Sequence, residues 1–144
     1  MNFSIEKIET SKTYPLRKQI LRNGIELPFK FERDQDQTTF HLGAFFEQEL
    51  VGIASFMKSN NIFFSSAQYQ LRGMATSEVV RGKGAGKALL GEAVNLLRRK
   101  EIKTIWCNAR IEAITFYKKV GFKVRGELFV IEKVGPHFTM FLDL

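Results

Sequence analysis

Residues 81–87 read Arg-Gly-Lys-Gly-Ala-Gly-Lys, and residues 88–100 continue with the apolar spacing of an amphipathic helix. Three glycines at alternate positions leave the backbone almost bare of side chains. Glycine takes positive φ at little cost and lets main-chain N–H groups come close to a ligand. A helix N-terminus adds unpaired donors and partial positive charge. Together they make an anion site, most naturally for phosphate.

Counting the spacing excludes two familiar phosphate loops. A Walker A loop built on Gly86-Lys87 needs glycine at 81 and a hydroxyl at 88, but the residues are Arg81 and Ala88. The dinucleotide fingerprint needs glycines at i, i+2 and i+5. Starting from Gly82 the last position is Lys87, and starting from Gly84 it is Leu89. No acidic residue follows at the end of a second strand, as a ribose contact would require.

The chain has 144 residues, enough for one domain over 1–144 with a real core. Hydrophobic content of 44% and charged content of 26% are ordinary for a soluble globular protein. No apolar run approaches the ~20 residues of a membrane span, and Met-Asn-Phe-Ser-Ile-Glu-Lys at the start has no signal-peptide character. Cys107 is the only cysteine, so no internal disulfide can form, and a cytoplasmic location is expected. Net charge is +7, with basic residues gathered at 81–87, 98–103, 118–119 and 123–125. That layout suits a ligand with several phosphates; nucleic acid is the other reading of such a charge. The sequence has neither an exposed-aromatic RNA motif nor a helix-turn-helix pattern, so nucleic-acid binding is not expected.

Residues 3–8 read as a strand and 13–22 as a helix, with Leu16, Ile20 and Leu21 at helical spacing. Residues 23–37 are a polar loop or short helix, and loops of that length in compact domains are often functional. Residues 38–46 and 50–57 form a hairpin through Glu47-Gln48-Glu49, and 58–66 is a second loop. Strand 67–76 contains Gly73, which marks a bulge or a close backbone approach. Helix 85–100, strand 102–108 and helix 111–120 follow, the last ended by Gly121 at C′. Strands 122–133 and 138–144 are joined by a turn at Gly135-Pro136. The strand–helix–strand step over 67–108 implies a parallel pair with a right-handed crossover. The fold class is α/β (α+β), a mixed and mostly antiparallel sheet with a central parallel pair and helices on both faces.

These residues resemble the GNAT superfamily of acetyl-CoA-dependent N-acyltransferases. The family signature [Arg/Gln]-x-x-Gly-x-[Gly/Ala] is matched by Arg81-Gly82-Lys83-Gly84-Ala85-Gly86. A second signature, Ala-x-x-[apolar]-Tyr-x-x-x-Gly-Phe, is matched by Ala113 to Phe122, with Phe116 and Tyr117 in its middle. Order, spacing and element pattern agree over essentially the whole chain, most strongly over 71–122.

The resemblance implies acetyl-CoA as acyl donor and no metal. Its pyrophosphate would lie on Arg81, Gly82, Lys83, Gly84, Ala85, Gly86 and Lys87. The pantetheine arm would run beside Met74, Ala75 and Thr76 as an added strand, with the bulge N–H near Met74 available to an oxyanion. Ala113 and Phe116 belong to the same cofactor-binding set. Tyr117 corresponds to the general acid that protonates the departing thiolate, an effect owed to position more than driving force. One departure stands out: where many members carry a pantetheine-contacting Asn, this chain has Arg110, and Asn108 two residues earlier is either its substitute or a cap of the next helix.

The acceptor is less legible. It is expected to be a small-molecule amine or a peptide, with no nucleic acid and no membrane, and a homodimer is a common form in the family. Loops 23–37 and 58–66 are expected to shape its site. His137, Glu127 and His41 are the candidate bases, and Cys107, in a buried strand, is disfavoured as an acyl carrier. Two rival functions are a CoA-binding or sensing module without catalysis and a basic nucleic-acid-binding domain.

Overall fold

A computed structural model describes all residues, 1–144. Its element order is β1 (Ser4–Ile8), α1 (Thr10–Leu16), β2 (Phe40–Phe46), β3 (Glu49–Met57), β4 (Gln68–Thr76), α2 (Ala85–Arg99), β5 (Thr104–Arg110), α3 (Ile114–Lys119), β6 (Lys123–Ile131) and β7 (Gly135–Asp143). The seven strands form one sheet in the order β1-β2-β3-β4-β5-β7-β6. Every pairing is antiparallel except β4 with β5. No helix is long and apolar enough to cross a membrane.

The strands of the sheet centre bury both faces, as the alternation of β3 makes plain. Ala54 and Phe56 join the main core beneath α2, with Leu89, Ala93 and Leu97. Ile53 faces the other way and packs with Leu16 of α1 and Ala75 of β4. Helices therefore cover both faces, and β4 is held between them.

The sheet is not continuous along its middle. The β4–β5 ladder is only three residues long, Gln68–Gln70 against Thr104–Trp106. Both strands then run on, β4 to Thr76 and β5 to Arg110, without pairing to each other. A bulge sends β4 aside at this point: Ile53 pairs with Ala75 but Ser55 pairs with Arg72, leaving Gly73 and Met74 opposite Ala54. Gly73 sits at φ 63°, where a Cβ would come within 2.8 Å of the Phe31 ring. The expected bulge is present, and it opens a wedge between β4 and β5.

Three local details differ from the sequence reading. The first helix is α-helical only to Leu16 and continues as a π-turn over Arg17–Leu21, with the Arg22 N–H bonded to the Arg17 carbonyl at 3.0 Å. The π-turn points Arg17 into the interior and carries Ile20 to Arg22 past the wedge. The hairpin of β2 and β3 turns on Glu47 and Gln48 alone, both at positive φ (51° and 69°). The last hairpin turns at 132–134, with Lys133 at φ 69°, so Gly135 and Pro136 already belong to β7.

Candidate active site

The glycine loop follows a short 3₁₀ turn, Glu78–Val80, and runs into α2. Gly82 and Gly84 have φ of 75° and 99°, a conformation that only glycine takes cheaply. Arg81, Lys83 and Ala88 spend their N–H groups on the carbonyls of Glu78, Val80 and Gly84. The N–H groups of Gly82, Gly84, Ala85, Gly86 and Lys87 have no main-chain acceptor. They gather at the positive end of a 15-residue helix, flanked by the exposed side chains of Arg81, Lys83 and Lys87. This cradle is the cluster of free donors that the glycine spacing predicts.

Gly86 ties the cradle to the second motif. A Cβ there would meet Phe116 Cζ at 2.8 Å, so the first turn of α2 lies directly against α3. Behind Phe116, the C-terminus of α3 is closed by paired bonds from Phe122 N–H to the Tyr117 carbonyl (2.9 Å) and from Gly121 N–H to the Lys118 carbonyl (3.1 Å). Gly121, at φ 99°, is the left-handed C′ residue that this closure requires. Tyr117 is thereby fixed between Phe116 and Phe122, with ring centroids 5.2 and 5.1 Å away.

The wedge between β4 and β5 opens into a cavity of about 540 Å³, the size of a small-molecule site. Gly73 and Met74 line it from β4, Cys107 and Asn108 from β5, Tyr117 from α3 and His137 from β7. The 23–37 loop lines it too, through Leu27, Pro28, Phe31 and Glu32. Ala113 is in the wall, while Ala75 turns its side chain toward α1 and offers only its main chain. The cradle and Phe116 lie just outside the lining.

Burial, with the Cys107 thiol alongside, pushes the Tyr117 hydroxyl well above its ordinary value near 10. Burial likewise pushes the Cys107 thiol up, so it stays protonated and is a poor nucleophile. His137 is buried against Phe129, its Nδ1 2.7 Å from the Gly135 carbonyl. A carbonyl only accepts, so Nδ1 is the donor of this bond, and in the neutral ring the lone pair is on Nε2. Asn108 accepts a bond from the Thr139 hydroxyl (3.1 Å), and Arg110 donates to the Leu21 carbonyl (3.0 Å).

Several candidates sit elsewhere. His41 is on the α1 side, bonded through Nδ1 to Ser55 (2.7 Å) and close to Thr10 and the Asp34 carbonyl, away from the cavity. Glu127 is exposed on β6 and outside the lining. The 58–66 loop also leaves the cavity wall: its Ser59 carbonyl accepts from Trp106 Nε1 and Phe64 packs on Phe141. The sequence reading did not single out Arg22, Lys30, Phe31 or Arg72, all in the wall. The one available hint was Arg72 directly before the bulge glycine.

Comparison with known proteins agrees with this geometry. Residues 4–122 match the model of the Acetyltransferase (GNAT) family. A Bacillus subtilis (strain 168) protein described as an uncharacterized N-acetyltransferase, YitI, is 37% identical over 143 residues, covering 97% of this chain and 95% of that one. Among solved structures, Escherichia coli ElaA superposes with a TM-score of 0.80 at 18% identity, over 97% of this chain and 99% of that chain. An aminoglycoside 6′-N-acetyltransferase complexed with coenzyme A superposes with a TM-score of 0.75 at 12% identity, over 97% and 96% of the two chains. With the family model matched over residues 4–122 and a 37% identical N-acetyltransferase relative spanning 97% of the chain, this chain belongs to the GNAT acetyltransferase family and is an acyltransferase.

Proposed function

We propose that this enzyme moves an acetyl group from acetyl-CoA to the amino group of a small-molecule or peptide acceptor, by direct attack while both are bound. The observation that carries the reading is the split between β4 and β5. It leaves the main chain of Met74 to Thr76 without a partner on the β5 side, close to a cradle of five free N–H groups. An extended arm ending in a pyrophosphate fits that pairing of features, because a strand edge binds extended chains and the cradle binds phosphate. Coenzyme A has both parts, and one structural relative is a complex with it. The thioester supplies an activated acyl carbon.

The chain's own residues then divide the proton work. The neutral amine attacks the carbonyl carbon, a C–N bond forms, and the C–S bond breaks. Tyr117 keeps its proton at working pH and delivers it to the departing sulfur. The attacking nitrogen must lose a proton. Of the titratable groups lining the cavity, only His137 and the exposed Glu32 are candidate bases, and His137 is the buried one. The bulge N–H near Met74 faces the charge that develops on the carbonyl oxygen. The protonated Cys107 thiol argues against an acyl-cysteine intermediate. A cytoplasmic setting belongs to the same reading, since the one cysteine is a buried thiol.

The test is CoA release from acetyl-CoA across amines, amino acids, aminoglycosides and peptides. Amine-dependent release supports transfer. Tight CoA binding with no release for any amine would favour a sensing module instead.

A further inference from the structure

The cavity wall carries more positive charge than acetyl transfer itself requires. Arg22, Arg72 and Arg110 all reach it, from the π-turn, β4 and β5 respectively, and Lys30 adds a fourth cation. The only acidic side chain in the wall is the exposed Glu32. Neither ion pair of the molecule, Arg17–Asp34 or Arg33–Asp36, uses any of the three arginines. Burial, then the charges of Arg110, Arg72 and Arg17, hold Arg22 below its ordinary value, so these guanidinium groups feel one another. Arg72 is shifted the same way by burial and Arg17, with Asp34 opposing.

Like charges kept together without a counter-ion are costly, yet the cluster is built rather than accidental. Arg22 is clamped by the carbonyls of Pro28 (3.0 Å) and Leu21 (3.2 Å). Arg110 donates to that same Leu21 carbonyl at 3.0 Å. The Arg72 guanidinium lies 4.1 Å from the Phe31 ring centroid, and Arg17, neutralised by Asp34, lies 3.9 Å from it. Each group is therefore oriented by main chain or an aromatic ring, and each has N–H donors left without a partner in the protein. The phosphate cradle is a separate feature, at the N-terminus of α2 and outside this wall.

We propose that the acceptor is a small amine bearing at least one anionic group, carboxylate or phosphate, which Arg22, Arg72 and Arg110 bind while its amino group faces Tyr117 and His137. The proposal rests on the acyl-transfer reading of this cavity. Planar guanidinium groups match carboxylate and phosphate oxygens in pairs. The same charges repel polycations, so polyamines and aminoglycosides are the wrong class of substrate.

Two measurements test it together: CoA release with L-glutamate, O-phosphoethanolamine, spermidine and kanamycin, and calorimetric titration of the same amines onto CoA-saturated protein. One or both anionic amines should bind and turn over, and which one does separates carboxylate from phosphate. Arg22→Gln and Arg110→Gln should each raise the KM or Kd for that amine roughly tenfold to a hundredfold, with KM for acetyl-CoA unchanged. Arg110→Lys should recover part of the loss, and thermal melts confirm that each variant is folded. The proposal is overturned if spermidine or kanamycin is preferred, if neither anionic amine binds, or if folded Gln variants lose acetyl-CoA affinity instead. Anionic amines that bind through the arginines without any CoA release would overturn the acyl-transfer reading and leave the anion site standing.

Discussion

In the proposed mechanism Tyr117 is the side chain on which the chemistry turns, and its surroundings decide which way. A buried phenol beside a neutral thiol keeps its proton across the working range, so it can give one but cannot take one. Tyr117→Phe should lower kcat by roughly a hundredfold or more, the size of a lost general acid, with the affinity for CoA little changed. Stopped-flow CoA release alongside calorimetry separates the two, and an unchanged kcat would remove Tyr117 from the mechanism. His137→Gln should lower the rate most at neutral pH and recover as pH rises, because the free-amine fraction then replaces the missing base. Gly121 was legible from its place at a helix end, while Tyr117 was singled out only through the family motif, since spacing alone reads it as a core aromatic. The cluster of Arg22, Arg72 and Arg110 was not legible, because its members are 50 and 38 residues apart and only the closed sheet brings them together. His41 and Glu127 misled for the same reason: residue type does not say which face of a sheet a side chain occupies.

At the scale of elements, α1 and the 23–37 loop are pinned to the sheet by one buried ion pair. Arg17 Nη1 and Nη2 meet the Asp34 carboxylate at 2.7 and 2.9 Å, and Ser55, which bonds His41, accepts from Arg17 at 2.9 Å. Removing one partner strands a buried charge, so Asp34→Ala should cost about 3–5 kcal/mol, read by urea unfolding; a loss under ~1 kcal/mol would mean the pair is solvated. The pH dependence has a definite sign. Burial holds His41 below its ordinary 6.5, so the unfolded chain binds the proton more readily and stability falls as pH drops below about 6.5. Burial raises Asp34, but the Arg17 bond, the Phe31 N–H and the Arg17 charge outweigh it, leaving Asp34 below 3.8. A second loss therefore sets in as pH falls through about 3.8 toward its lower folded value. Melts from pH 8 to 3 should show decline in both windows. In the β2–β3 hairpin, Glu47 and Gln48 both hold positive φ, so Asn-Gly in their place should stabilise by about 1 kcal/mol. The elements themselves were legible from periodicity; the π-turn was not, because it depends on Arg17 reaching a partner 17 residues away.

The whole molecule is a sheet pried open at one point. Two antiparallel sections meet along β4 and β5, the short ladder and the Gly73 bulge hold them apart, and the gap becomes the cavity. That architecture was readable from the order of elements and one glycine, since a parallel pair inside hairpins has few other arrangements. Who fills the acceptor side was not readable, because the arginine wall is a product of the assembled fold. A ligand that spans both sections should rigidify the whole. CoA at a hundred times its Kd should add about 2.7 kcal/mol of stability, visible as a higher melting temperature, while adenosine, which lacks the pyrophosphate, should add almost none. The central claim is direct transfer within one complex, and initial velocities of CoA release at crossed concentrations of acetyl-CoA and an acceptor amine test it most directly. Direct transfer gives intersecting double-reciprocal lines and no CoA release without amine. Parallel lines, or a burst of CoA before amine is added, would contradict it by revealing an acyl-enzyme.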